Sequence, residues 1–184
     1  MEKLSEITRR IFEILKNSEL ENEGTHAQNV LKWVFKLATN PSEALQIAAV
    51  AHDIERGVPP RVQSSQYPDN TEFRIVHSAR SAKIITELME EFQYDQDVIA
   101  NVVDLVNKHE IGGSVDADIL LDADSISFFD NNLPYYVGRK GLAGSVFQVE
   151  YKFSRCTDRA KQFIRQLPEY IDFLEKTKAE NLIS

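Results

Sequence analysis

The sequence has few of the features that indicate a location outside the cytosol, namely cysteine pairs, membrane spans and a signal peptide. It contains one cysteine in 184 residues, so no internal disulfide forms and a reducing compartment is expected. Its apolar runs fall far short of the roughly 18 residues that indicate a membrane span. The first fifteen residues mix acids and bases and lack the apolar region of a signal peptide. These absences predict a cytoplasmic protein without a membrane partner.

Basic charge is scarce as well. The chain has 21 lysines and arginines against 29 aspartates and glutamates, a formal net charge of −8. Because proteins that bind polyanions usually carry a basic surface, we do not expect a nucleic-acid polymer as partner. A small phosphorylated substrate is compatible with this charge, since a metal site or a few local cations can hold a phosphate inside an acidic protein. The oligomeric state is left open.

The chain reads as one domain, residues 1–184, without internal repeats, low-complexity tracts or a linker. Apolar residues recur at helical spacing almost throughout and strand signals are few, which predicts an all-α bundle of about seven or eight helices. Ser42 is the expected N-cap of a helix over 44–54. Segments 56–70 and 130–144 carry prolines and glycines and are predicted to be irregular. Helices within 145–180, including one long helix up to Phe163, are expected to complete the bundle, with Pro168 as a break.

All four histidines of the chain fall into one ordered set with two aspartates. Neutral imidazole and carboxylate are the usual ligands of divalent first-row metals, and no cysteine cluster offers an alternative. Three antiparallel helices would bring members of this set together at one end of a bundle. The His52-Asp53 dipeptide alone is weak evidence, as any short motif is. The set is His26, His52-Asp53, His77, His109 and Asp124.

Over about residues 25–127, the order His26, His52-Asp53 and Asp124 resembles the defining motif of the HD-domain superfamily. Most members of that superfamily are metal-dependent phosphohydrolases and phosphodiesterases with a helical fold. The resemblance implies that these four residues ligate a metal. Asp122 competes with Asp124 for the last position, and the Ala-Asp-Ser-Ile context favours Asp124.

His77 and His109 occupy the positions of two extra histidines found in HD proteins with two metals, in which the aspartate of the pair bridges the ions. An isolated histidine is more often a core or surface residue, but here each falls in a gap where the pattern needs one. The resemblance therefore implies divalent ions, two in number, drawn from Mn, Fe, Mg, Co or Ni. Two ions about 3.5–4 Å apart would activate a hydroxide and stabilise a leaving oxygen.

Cations near this pattern are candidates for contacting a phosphate. Residues 52–59 are similar to the His-Asp-Ile-Gly-Lys-x-Gly-x-Pro stretch of HD phosphodiesterases, with Arg56 where the lysine contacts substrate phosphate. A solvated Arg56 paired with Glu55 or another acid is the alternative. Arg80, in an apolar stripe three residues after His77, needs a partner such as a phosphate or an internal aspartate. Asp53, Arg56 and Arg80 are thus the catalytic candidates, and Arg56, Arg80, Lys108 and Arg139 the substrate-binding candidates.

Three further features complete the expectations. Tyr135, Tyr136 and Arg139 lie in the irregular segment, which would either cover the pocket or fill a helix junction. A cationic ridge on the last helix is expected to be solvated; it comprises Lys152, Arg155 and Arg159. Cys156 is expected in the core rather than as a nucleophile.

The resemblance implies hydrolysis of a phosphoester of a small metabolite or nucleotide by metal-activated water. The downstream Gly-Tyr-Pro signature of cyclic-dinucleotide phosphodiesterases is absent after His109, which disfavours that substrate. The same six-ligand pattern also resembles the di-iron site of HD-fold oxygenases, which is the alternative enzyme. A binding module that keeps the fold without the chemistry is the third reading.

Overall fold

The computed structural model describes residues 2–183, and within that range the chain is helical with no β-strand. The predicted all-α class is confirmed. Two 3-10 turns, Ile54–Gly57 and Ser64–Gln66, and a π turn, Phe128–Asn132, connect the longer elements. The α-helices are α1 (Glu2–Leu15), α2 (Glu23–Leu37), α3 (Glu43–Ala51), α4 (Asn70–Glu91), α5 (Gln96–Lys108), α6 (Val115–Ser127), α7 (Leu133–Ser154), α8 (Asp158–Ile164) and α9 (Pro168–Ala179).

Side-chain caps set several helix starts. Ser42 accepts the Leu45 N–H and begins α3, as predicted. Ser114 caps α6 in the same way. Helix α4 begins at Asn70, the last residue of the segment predicted to be irregular, because the Asp69 carboxylate accepts two backbone N–H groups of the first turn.

The C-terminal third differs from the prediction. The segment expected to be irregular is largely helical, because Pro134 lies in the first turn of α7, where its missing N–H costs nothing. Gly141, at φ 73°, interrupts the helical geometry and kinks α7. The single long final helix is wrong: Thr157 caps a separate α8, and Pro168 begins α9 rather than ending a helix.

Helix α3 is the centre of the bundle and packs against α1, α2, α5 and α6. Its alanines 48, 49 and 51 are fully buried, and their small side chains let four neighbouring helices approach closely. The turn after α3 is pressed onto α1, because a Cβ on Gly57 would lie only 2.3 Å from the Ile14 carbonyl oxygen. The C-terminal end of α3 is therefore held firmly in place.

Two expectations about less central features can be compared with the structure. Cys156 is buried, as predicted, and burial raises the pKa of its thiol to about 11. Among the described helices, none combines the length and apolarity that crossing a membrane requires.

Candidate metal centre

Six buried residues meet where the C-terminal ends of α3 and α5 approach the first turn of α2. His52 and His109 directly follow α3 and α5, and His26 lies in the first turn of α2. Each of the six is at most 5% exposed. Because helix C-termini carry partial negative charge, the ends of α3 and α5 favour a cation between them. The other three members are Asp53, His77 on α4 and Asp124 on α6.

All four histidines direct the same ring nitrogen toward the centre. In each ring Nδ1 donates outward, so Nε2 is left to face the other members of the set. The four acceptors are Ser127 Oγ for His26 at 2.9 Å, the Ala49 carbonyl for His52 at 3.0 Å, Glu55 Oε1 for His77 at 2.8 Å and the Val106 carbonyl for His109 at 2.7 Å. Such outward hydrogen bonds are the usual support of metal-binding histidines.

The ligand atoms form two groups that share Asp53. The first group is His26, His52 and Asp53, the second is Asp53, His77 and His109, and in each group the atoms lie within 4.8 Å of one another. Oδ1 of Asp53 lies 2.6 Å from His77 Nε2, whereas Oδ2 lies 3.5 Å from His52 Nε2. One carboxylate thus offers one oxygen to each group.

Asp124, rather than Asp122, lies at the centre. Its Oδ1 is 3.2 Å from His26 Nε2, and its Oδ2 accepts from Lys152 Nζ and from Arg155, each at 2.5 Å. Asp122 faces away and accepts from the backbone N–H and the hydroxyl of Thr157, the N-cap of α8.

The charges of the aspartates suit a cation. Burial alone would raise the pKa of Asp53, but Arg56, His52 and His77 outweigh it and hold that pKa well below its usual range. For Asp124 burial is outweighed mainly by Lys152, with help from His26 and Arg155, and its pKa is likewise well below the ordinary value. Both carboxylates are therefore ionised at neutral pH.

The histidines differ from one another. Burial lowers the pKa of His109 to about 4 and also lowers the pKa of His52, so both rings are neutral and offer a lone pair at Nε2. Burial acts the same way on His77, but Asp53 and Glu55 outweigh it and raise its pKa to about 9. A positive charge at His77 Nε2 is thus favoured, and a metal ion would supply it in place of the proton. The donor set fits divalent first-row ions.

A cavity of about 420 Å³ opens onto this centre. Its wall includes His26, Asp53, His109 and Asp124 of the ligand set. Four cations line it, namely Arg56, Arg61, Arg139 and Lys152, and so do four aromatic residues, namely Phe73, Phe128, Tyr135 and Tyr136. Four of the six candidate ligands therefore line a chamber whose wall mixes cationic and aromatic side chains with the acids Glu19, Glu21, Glu23 and Glu110.

A family model, described as a domain of unknown function, DUF4202, matches residues 11–177. The chain belongs to this family. No curated protein matches the chain.

A similar fold is found in the 1.45 Å crystal structure of a predicted HD superfamily hydrolase from an uncultured Thermotogales bacterium. The TM-score is 0.59 at 19% sequence identity, and the match covers 94% of this chain and 91% of the other. With so few identical residues, this similarity shows that the two proteins share a fold.

Of the cations expected to contact substrate, two do not line the cavity of this DUF4202 protein. Arg80 donates to the carbonyls of Val58, at 2.9 Å, and Pro60, so it holds the loop after α3 instead of a phosphate or an aspartate. Lys108 pairs with Asp104 one turn earlier on α5, at 2.8 Å. The sequence shows that Arg80 and Lys108 are close to histidines along the chain, but it does not show which way their side chains face.

The expected solvated ridge on the last helix is also wrong in part. Arg159 donates to the carbonyl of Leu37, whereas Lys152 is buried and Arg155 is partly buried, and both contact Asp124. The signal was present, because Lys152 lies one turn after the buried Val149 and one turn before Cys156, on an apolar face. The sequence indicates Glu55 only as a possible partner for Arg56. The structure pairs Arg56 with Glu23, at 3.0 Å, and with Asp53 Oδ2, at 2.7 Å.

Proposed function

We propose that this protein is a metal-dependent hydrolase of the HD type that cleaves a phosphoester in a small phosphorylated metabolite or nucleotide. One observation carries the proposal: four histidine Nε2 atoms and two ionised aspartates converge beside a cavity whose wall carries four cations. A pocket of about 420 Å³ is of the size that takes a small molecule rather than a polymer.

The ligands divide between two ions. His26, His52, Asp53 and Asp124 would hold the first, and Asp53, His77 and His109 the second. Divalent ions bound there would polarise a phosphoryl oxygen and lower the pKa of a coordinated water.

Arg56 is the cation best placed to bind the phosphoryl group. Its NH1 is fixed by Asp53 and Glu23, which orients the whole planar guanidinium. Within residues 2–183 its Nε and NH2 make no hydrogen bond, and the side chain lines the cavity at 24% exposure. A guanidinium held in this way can offer two parallel N–H groups to two phosphoryl oxygens.

The outer part of the cavity suits the rest of the substrate. Tyr135, Tyr136 and Arg139 lie on the first turns of α7 and face the same chamber. Their rings and charge can hold a planar or anionic leaving group. In the reaction a water oxygen bonds to phosphorus as the ester P–O bond breaks, and the water's protons end on the released alcohol and phosphate.

The test is elemental analysis of the purified protein, followed by a screen of phosphorylated metabolites for phosphate release with the metal found. His52→Ala should remove the first ion and abolish activity. Asp124→Asn should do the same, whereas the matched control Asp122→Asn should retain both, because Asp122 faces Thr157. Protein that binds no divalent metal ion, or full activity in His52→Ala, would refute the proposal. Iron as isolated, with oxygen consumption and no phosphate release, would point to the oxygenase instead.

A further inference from the structure

Glu55 is a buried carboxylate with both oxygens engaged. It lies two residues after Asp53 in the turn that follows α3 and is only 1% exposed. Oε1 accepts from His77 Nδ1 at 2.8 Å, and Oε2 accepts from the Val62 backbone N–H at 2.9 Å. It does not line the cavity. Among the residues that the structure describes, its side-chain contact with the candidate metal centre is through His77.

The four histidines are supported unequally. Within the described residues, Nδ1 of His26, His52 and His109 donates to a hydroxyl or a backbone carbonyl, whereas Nδ1 of His77 donates to a charged carboxylate. A carboxylate in this position fixes the ring and increases the electron density at the opposite nitrogen. That nitrogen, His77 Nε2, lies 2.6 Å from Asp53 Oδ1. The strongest outward support is therefore in the second group.

We propose that Glu55 is a positioning residue that decides whether the second metal subsite, formed by Asp53, His77 and His109, is filled. This proposal rests on the proposed function only because it requires a two-metal centre. It does not depend on which substrate is cleaved. Without Glu55, His77 loses the hydrogen bond that orients its ring, and the second subsite becomes weak. The first subsite keeps its own supports on Ser127 and Ala49 and stays filled.

An amide cannot replace this carboxylate. Glu55 accepts a hydrogen bond on each oxygen, whereas glutamine offers one acceptor oxygen and one donor NH₂ group. Glu55→Gln must therefore direct its NH₂ group at either the Val62 N–H or the His77 ring. In the first case the side chain is pushed from its place. In the second, Nδ1 becomes the acceptor and the ring proton moves to Nε2, where it blocks an ion.

Two variants frame the test. Ser127→Ala removes the acceptor of His26 Nδ1 and should weaken the first subsite instead. Glu43→Gln makes the same chemical change at an exposed glutamate that accepts from Tyr94 and takes no part in the centre. It should bind metal as the parent protein does.

The measurement is the number of ions bound per chain, by elemental analysis, together with Mn²⁺ titration calorimetry and the electron paramagnetic resonance signal of a coupled Mn²⁺ pair. We expect two ions in the parent protein. In Glu55→Gln we expect second-ion binding weakened about 10- to 100-fold, with the first ion retained and the pair signal lost. Adding Glu55→Gln to His109→Ala should cause little further loss, because both changes act on one subsite.

Results that contradict the role of Glu55 differ from those that contradict the hydrolase proposal. Two ions bound with parental affinity in Glu55→Gln would overturn the role of Glu55 and leave the hydrolase proposal standing. One ion in the parent protein would also overturn it, and no ion would overturn both proposals. If melting shows that Glu55→Gln is unfolded, Glu55→Asp replaces it. That variant keeps the charge but shortens the reach to His77, so selective loss of the second ion is again expected, and parental binding again refutes the role.

Discussion

Removing the charge of Asp124 should destabilise the metal-free protein mainly by leaving Lys152 without a partner. Both side chains are buried, at 4% and 10% exposure, and Lys152 Nζ donates to Asp124 Oδ2. Arg155, the other cation on that oxygen, also pairs with Glu110 and keeps this partner. Stranding one member of a buried ion pair costs about 3–5 kcal/mol. Because asparagine still accepts one hydrogen bond, we expect Asp124→Asn to cost about 3 kcal/mol, the lower end of that range.

The reverse change should cost much less. Lys152→Met leaves Asp124 with Arg155 and His26, and methionine fills a similar volume, so we expect a change within about 1 kcal/mol. In the double variant no ammonium is stranded, and most of the loss should be recovered. The coupling energy should then be about 2 kcal/mol, within the range for residues in contact.

The assay is urea unfolding at pH 7 with a chelator present, so that metal binding does not contribute to stability. The free energy of unfolding is compared among the parent, the two single variants and the double variant. Additive losses, with a double variant less stable than Asp124→Asn, would show that Lys152 does not depend on Asp124 and that the cost arises elsewhere.

Three further predictions concern separate features of the site. In metal-free protein Asp53 and Glu55 raise the pKa of His77 from 6.5 to about 9. Protonated His77 therefore stabilises the fold fully below about pH 6.5, and this stabilisation is lost as the pH rises through 9. The melting temperature should fall over that pH range, and His77→Gln should make it less dependent on pH. Gly57→Ala should cost about 1–3 kcal/mol by urea unfolding, because the added methyl meets the Ile14 carbonyl at 2.3 Å; an unchanged midpoint would refute the close approach. Arg139→Ala should raise KM for the phosphorylated substrate about tenfold, because one charge-assisted hydrogen bond from the cavity wall is lost, and the metal content should not change. An unchanged KM would show that the substrate does not contact Arg139.

Local rules predicted much of the fold. The apolar period of α1 to α6 and the cap at Ser42 are properties of neighbouring residues, so they could be read from the chain. The C-terminal region was harder. The break between α7 and α8 depends on Thr157, whose hydroxyl is held by Asp122 from α6, and such a partner 35 residues away gives no local signal.

Side-chain partners in the site show the same limit. Arg80 was expected at the substrate because it follows His77 by one turn, but the loop 58–60 folds back and takes its donors. The sequence indicated Glu55 as a possible partner of a solvated Arg56. In the structure Glu55 is buried and accepts a hydrogen bond from His77. In both cases residues distant in sequence supply the partners, so spacing along one helix was insufficient.

The sequence by itself determined the helical class and the order of residues able to bind metal, because periodicity and side-chain chemistry are written in the chain. The tertiary structure decided which atoms meet. Asp122 and Asp124 lie two residues apart, and at 3.6 residues per turn their side chains point about 200° apart, so only one can face the histidines. The rotation of α6 against α2 makes that choice, and it brings Asp124 to 3.2 Å from His26. That rotation is set by the packing of α6 into the core, to which its own Leu120, Ala123 and Ile126 contribute.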